Sequence, residues 1–307
     1  MRLYESVLDL IGNTPIVKIN KLANPNGAQV YIKLESFNPG GSVKDRASIN
    51  MIEQAEREGK LIPGTSTIIE PTSGNTGIGI AMVSAIKGYP CIITMPDNAT
   101  EERVKILKAY GAKVVLTPAK DRMQGAIDEA NNIAETIPNY FIPMQFENPA
   151  NSDAHRTTTA VEIIEAFDGK LDALVLTAGT GGTVTGVGEE LKKVMPNIKI
   201  YVVEPYGSPV LSGGQPGPHK IPGTGPGFIP KILNQTIYDE ILHIKDEDAQ
   251  MMARQLAAKE GIFIGASGAS SAYFALEVAK KLPKEARVLC LAPDTGERYL
   301  SSDLFPS

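Results

Sequence analysis

Thr67-Ile68-Ile69-Glu70-Pro71-Thr72-Ser73-Gly74-Asn75-Thr76-Gly77 decides the class of fold. The first four residues form a short apolar run of strand type, and from Gly77 to Ile86 the chain is apolar almost all round a helical period. Such a helix must be buried on most sides. A strand followed at once by a helix too apolar for solvent is the building unit of a parallel sheet covered by helices.

The same alternation runs outward in both directions. Upstream, residues 30–34 read as a strand, and beyond Lys44 the apolar positions Ala47, Met51, Ile52 and Ala55 repeat with helical period until Gly59. Lys44 therefore falls in the first turn of a helix. Downstream come strands at 90–95 and 113–117 with a helix at 100–110 between them, and then a Pro- and Asn-rich stretch at 143–151 that marks a crossing between lobes. The pattern resumes as a helix at 157–167, a strand at 171–177, a glycine loop, a helix and a strand at 198–203. Residues 207–228 show no period, and a loop that long inside a compact enzyme is a functional lid or a disordered segment, the lid being preferred. A helix at 246–259, a short strand at 262–264, a further helix and a strand at 287–292 complete the chain. The class is α/β.

At 307 residues the chain is long enough for two lobes or one large α/β domain. A formal net charge of -5 with interspersed signs gives no basic stripe, which argues against nucleic acid or an anionic membrane as partner. The first residues lack the apolar stretch of a secretory signal and the longest apolar run is too short to span a bilayer, so a cytoplasmic location is expected. Cys91 and Cys290 sit in strand-like runs and read as buried core thiols, and His155, His219 and His243 have no metal-ligand spacing; no metal is expected.

Three segments carry chemistry. Gly179-Thr180-Gly181-Gly182-Thr183 follows a strand and opens a helix, so its amides converge on an anion at the positive end of the helix dipole. That predicts phosphate binding. Gly186 and Glu204 make a dinucleotide loop with a ribose-binding acid an alternative, hence an NAD-binding oxidoreductase. Lys44 follows the two-glycine turn of Asn38-Pro39-Gly40-Gly41-Ser42-Val43, which permits a planar ligand to approach the backbone, and a shielded lysine amine suits Schiff-base chemistry. Thr72-Ser73-Gly74-Asn75-Thr76 is a strand-to-helix turn suited to a carboxylate, or equally a plain capped helix start. Taken singly, Gln145 and Ser267 read as polar loop groups.

Together these segments, with residues 208–217, Gly265-Ala266-Ser267 and Gly296-Glu297-Arg298-Tyr299-Leu300-Ser301, resemble the cysteine synthase (O-acetylserine sulfhydrylase) family of the tryptophan-synthase-β fold type of pyridoxal-phosphate enzymes, fold type II. The resemblance covers nearly the whole chain. It implies a two-lobed fold, each lobe a mostly parallel twisted sheet flanked by helices, with residues 36–145 as the smaller lobe, 1–35 and 146–307 as the larger, and the active site in the cleft between them. It implies pyridoxal 5'-phosphate as cofactor, joined to Lys44, which also acts as the acid-base group. It implies that Asn75 and Ser267 contact the cofactor ring, that Gly179, Thr180, Gly181, Gly182 and Thr183 bind its phosphate, and that Thr72, Ser73, Asn75, Thr76 and Gln145 hold the substrate. The implied reaction is replacement of acetate in O-acetyl-L-serine by sulfide, with an O-acetylserine- or serine-dependent cystathionine β-synthase as the neighbouring alternative. A homodimer and a complex with serine acetyltransferase are implied partners. Gly268-Ala269 and Pro226 depart from the family's usual Ser-Gly and Ala.

Overall fold

The structure, a computed structural model, describes residues 3–305. Met1, Arg2, Pro306 and Ser307, which the expected larger lobe includes, lie outside the described residues. The strands in chain order are β1 (Ile16–Ile19), β2 (Gln29–Leu34), β3 (Thr67–Pro71), β4 (Cys91–Pro96), β5 (Lys113–Thr117), β6 (Tyr140–Phe141), β7 (Ala173–Thr177), β8 (Lys199–Pro205), β9 (Glu240–Ile244) and β10 (Arg287–Ala292). The α-helices are α1 (Lys44–Arg57), α2 (Asn75–Lys87), α3 (Glu101–Ala109), α4 (Arg122–Thr136), α5 (Pro149–Ala154), α6 (Ala160–Ala166), α7 (Gly182–Val194), α8 (Asp246–Gln255) and α9 (Ala266–Ala279).

The chain folds as two compact α/β units. One takes the chain up to Ile11 and Lys44–Asn151, the other Gly12–Val43 and the chain from Ser152 onward. The divisions fall after Ile11, Val43 and Asn151, whereas the sequence reading expects breaks only after 35 and 145. Two local interactions account for the difference. Leu8 and Ile11 pack against the apolar cluster of Ile68, Ile80 and Ile93 in the first unit. Residues 36–43 stay with the second, because the Val43 N–H donates to the Pro293 carbonyl and Ser42 bridges Asp294.

In the first unit the sheet order is β5-β4-β3-β6 and every pairing is parallel. Ile68, Cys91 and Ile93 enter the cluster lined by α1 and α2, while Ile69 and Ile92 meet Ala130 and Ala134 of α4. Burial on both faces removes the polar alternation a half-exposed strand would show. α2 is buried from Thr76 to Ser84, as its all-round apolarity demands. Gly79 makes this possible: a Cβ there would lie 2.6 Å from Ser48 Oγ and 3.2 Å from the Lys44 carbonyl, so α1 and α2 press together at their N-terminal turns.

In the second unit the order is β1-β2-β10-β7-β8-β9, parallel except for β1 against β2. Val288, Cys290 and Ala292 of β10 pack with α8 and α9 on one face, and Leu289 and Leu291 with α7 on the other. The expected strand at 262–264 is not formed; Ile264 makes a single bridge to Thr295. β1 and β9 were not expected. The helix expected at 157–167 runs as a π-helical turn, His155–Thr159, and then α6. No helix among the described residues is long and apolar enough to cross a membrane.

Candidate active site

Three helices begin in the same unusual way. α2, α7 and α9 have glycine N-caps (Gly74, Gly181 and Gly265), no side-chain cap and no acidic residue in the first turn. By contrast, α3 starts with Glu101 and Glu102, and α8 with Asp246, Glu247 and Asp248. Acids in a first turn complement the helix dipole from within, whereas an uncapped, acid-free turn leaves that end to an external anion. Loop 72–76 is therefore not a plain capped start, since its hydroxyls do not cap α2. Thr72 Oγ1 instead accepts from the Gly74 N–H at 3.2 Å.

In the first unit Lys44 is the first residue of α1 and is half-buried, and its carbonyl faces Gly79 of α2. The same unit holds Thr72, Ser73, Asn75 and Thr76 at the C-terminal end of β3. Ligands of parallel α/β sheets bind at such strand ends. Gln145 joins them: the Thr76 hydroxyl donates to Gln145 Oε1 at 2.6 Å, and both residues are buried. Arg103 fixes the turn from α3 by donating to the Ser73 carbonyl at 2.9 Å.

Sequence reasoning missed Glu70, a carboxyl with 2% of its surface exposed. Burial pushes its pKa up from 4.5 to about 8, against hydrogen bonds from the Met144 N–H, the Gln145 N–H and the Gln145 side chain that pull it down. Cys91 is the titratable neighbour on β4, with its own thiol pushed up to about 12 by burial. A carboxyl raised in the folded state favours folding fully below 4.5, and that contribution is lost as pH rises through about 8. Over this range, denaturant unfolding of the wild type is expected to lose on the order of several kcal/mol relative to Glu70→Gln. Parallel pH profiles for the two proteins would refute it.

In the second unit, residues 179–183 follow β7, and Gly181 takes the left-handed conformation at φ 84°. A Cβ on Gly179 would overlap the Gly223 carbonyl, and Gly225 N–H donates to the Ala178 carbonyl at 3.1 Å, so the loop is moulded against residues 223–225. Thr180 Oγ1 accepts from the Gly182 N–H, while Thr183 Oγ1 lies 3.2 Å from Nε2 of the buried His155. Ser267, 4% exposed, stands in the first turn of α9. The Ile264–Thr295 bridge places that turn just past the end of β10. Since β10 and β7 are parallel neighbours, Ser267 and the glycine loop occupy the same edge of one sheet.

Two expectations need correction. The two-glycine turn does not lie open to a planar ligand at Gly41, because Arg298 donates to the Gly40 carbonyl and a Cβ on Gly41 would meet its guanidinium at 2.9 Å. Glu204 does not serve as a ribose acid either: its carboxylate accepts from the Leu211 N–H at 2.9 Å and the Ser212 N–H at 3.1 Å, with His243 Nε2 3.1 Å away. It anchors the irregular segment after β8. Gly186 serves packing, since a Cβ there would overlap the Ser152 carbonyl.

The uncapped glycine start of α7 fits a phosphate, and a buried hydroxyl at the same sheet edge fits the ring of a phosphate-bearing cofactor. Residues 7–294 match the model of the pyridoxal-phosphate dependent enzymes, and the chain belongs to that family. A probable cysteine synthase of Bacillus subtilis (strain 168) is 58% identical over 308 residues, covering 99% of this chain and 99% of that protein. A solved cysteine synthase of Entamoeba histolytica gives a TM-score of 0.95 at 44% identity, covering 99% of this chain and 91% of the other. A solved O-acetylserine dependent cystathionine β-synthase of Helicobacter pylori gives 0.93 at 39% identity, covering 100% of both.

Proposed function

We infer that this chain is a pyridoxal-phosphate enzyme that makes L-cysteine, replacing the acetate of O-acetyl-L-serine by sulfide. The observation that carries the inference is the close packing of α1 on α2 at Gly79, which brings the amine-bearing start of one helix to the uncapped start of the other. When bound, pyridoxal phosphate supplies an aldehyde that condenses with amines and an electron sink that acidifies Cα.

The chain's own residues would do the rest. Amides and hydroxyls of Gly179, Thr180, Gly181, Gly182 and Thr183 would hold the phosphate, and Asn75 and Ser267 would contact the ring. Thr72, Ser73, Asn75, Thr76 and Gln145 would hold the substrate carboxylate so that the Cα hydrogen points at Lys44, a positioning effect worth several kcal/mol. Lys44 would take the proton from Cα as acetate leaves Cβ, and return it to Cα once sulfide has added at Cβ. Ser267 is a neutral hydroxyl and cannot hold a ring nitrogen protonated as a carboxylate would. That favours prompt loss of a β leaving group over prolonged carbanion chemistry.

A homodimer, a cytoplasmic location and a complex with serine acetyltransferase belong to the same reading and rest on the family resemblance. The likeness to the Helicobacter pylori enzyme supports cystathionine synthesis as a second reading. Turnover of the purified, cofactor-loaded protein decides between them, with O-acetylserine and then serine as donor, and sulfide and then homocysteine as nucleophile. Fastest cysteine formation from O-acetylserine and sulfide is expected. Absence of cysteine formation would reject the inference, and faster turnover with homocysteine would favour the second reading.

A further inference from the structure

Arg103 stands in the first turn of α3 and reaches the substrate loop, donating to the Ser73 carbonyl at 2.9 Å. Its Nε is buried without a hydrogen-bond partner, and no ion pair ties it to a carboxylate among the described residues. A guanidinium without a counter-charge makes its bond to the carbonyl charge-assisted and strong. That bond also settles where the rest of the peptide points. In a planar trans peptide the carbonyl and the following N–H face opposite ways. With the Ser73 carbonyl held toward α3, the Gly74 N–H turns from α3 and donates to Thr72 Oγ1 at 3.2 Å.

The buried Thr72 side chain is thus held at two points. Its hydroxyl oxygen accepts from Gly74, and its methyl packs on α2, where a Cβ on Gly77 would come within 3.1 Å of it. The three hydroxyls of the loop differ in where their protons go. Thr76 donates to Gln145 Oε1 at 2.6 Å, and Ser73 donates to Met123 Sδ at 3.8 Å. Thr72 donates to no group among the described residues, so its proton is left for a ligand. We propose that Arg103 is a positioning residue which, through the Ser73–Gly74 peptide, orients the Thr72 hydroxyl to donate to the amino-acid substrate's carboxylate. This rests on the assignment of Thr72 to that carboxylate in the function proposed above.

Arg103→Met keeps an apolar stem and removes the donor. The KM for O-acetyl-L-serine is expected to rise about tenfold, the loss of one charge-assisted hydrogen bond, with kcat changed less than about twofold. The KM for sulfide should stay unchanged, and calorimetric titration of the cofactor-loaded protein with L-cysteine should show a matching rise in Kd. In a Thr72→Ala background the same substitution should change KM less than about twofold, since the hydroxyl it acts through is gone. Arg103→Gln, which keeps an N–H but not the charge, should raise KM about threefold, and it decides alone if Arg103→Met does not fold.

An unchanged KM, a fall in kcat alone, or an equal rise in KM with and without the Thr72 hydroxyl would overturn the proposal. So would failure of both Arg103 variants to fold, which would mark a packing role. A wild-type KM in Thr72→Ala alone would overturn the underlying assignment of Thr72, an outcome separate from these.

Discussion

Lys44→Ala is expected to lower turnover by at least about 10³-fold, because the acid-base and covalent roles proposed for this one amine would be lost together. The fold should barely register the change. Lys44 is half-buried at the first position of α1, while the packing there is carried by its buried neighbours Val43 and Ala47. An ammonium is disfavoured at the positive end of a helix, so stability does not account for a lysine at this position. The melting temperature should therefore move by about 2 °C or less. Borohydride reduction of the loaded wild type, followed by digestion, should place the label on the peptide containing Lys44. Near-normal turnover in the variant, or a label elsewhere, would remove the basis of the mechanism.

Gly181→Ala is the second large effect. At φ 84° an alanine is held in the left-handed region, and its Cβ would stand 2.7 Å from Cβ and 3.0 Å from Cδ1 of Leu233. Leu233 is buried and cannot retreat freely. Backbone strain and overpacking together should destabilise the protein by about 2–5 kcal/mol. If this loop grips the cofactor phosphate, displaced amides should also weaken pyridoxal phosphate binding by about tenfold or more, as expected for a lost charge-assisted hydrogen bond. Thermal unfolding with and without cofactor, together with a binding titration, separates the two effects. A destabilised variant that retains the cofactor with wild-type affinity would show that the phosphate lies elsewhere.

The central strands were legible because their apolar runs are bounded by glycine, proline and polar turns, and α2 because its apolarity leaves it no solvent-facing side. β1 and β9 were not: both are sheet edges with exposed or half-exposed positions along their length, so their sequences carry little burial signal. The stretch at 262–264 has the composition of a strand, but Ile264 finds only one bridging partner beyond the end of β10. Among site residues, the glycine start of α7 could be read from sequence, because a glycine run between strand and helix is a local property, whereas the start of α2 stayed open between a carboxylate site and a plain cap, and that of α9 was not singled out. Glu70 could not be read. In a strand buried on both faces there is no alternation to say which way an acid points, and its partner Gln145 is 75 positions away along the chain. The role of Arg298 at Gly40 was hidden for the same reason, the two being joined only by the fold.

Cys91 and Cys290 both lie inside their sheets, and burial raises both thiols far above the ordinary range. Only the thiolate attacks a disulfide or a polysulfide. A catalyst that works among reactive sulfur compounds thus keeps its two thiols sealed and protonated, and is spared the mixed adducts that accessible thiols would collect from its substrate and product.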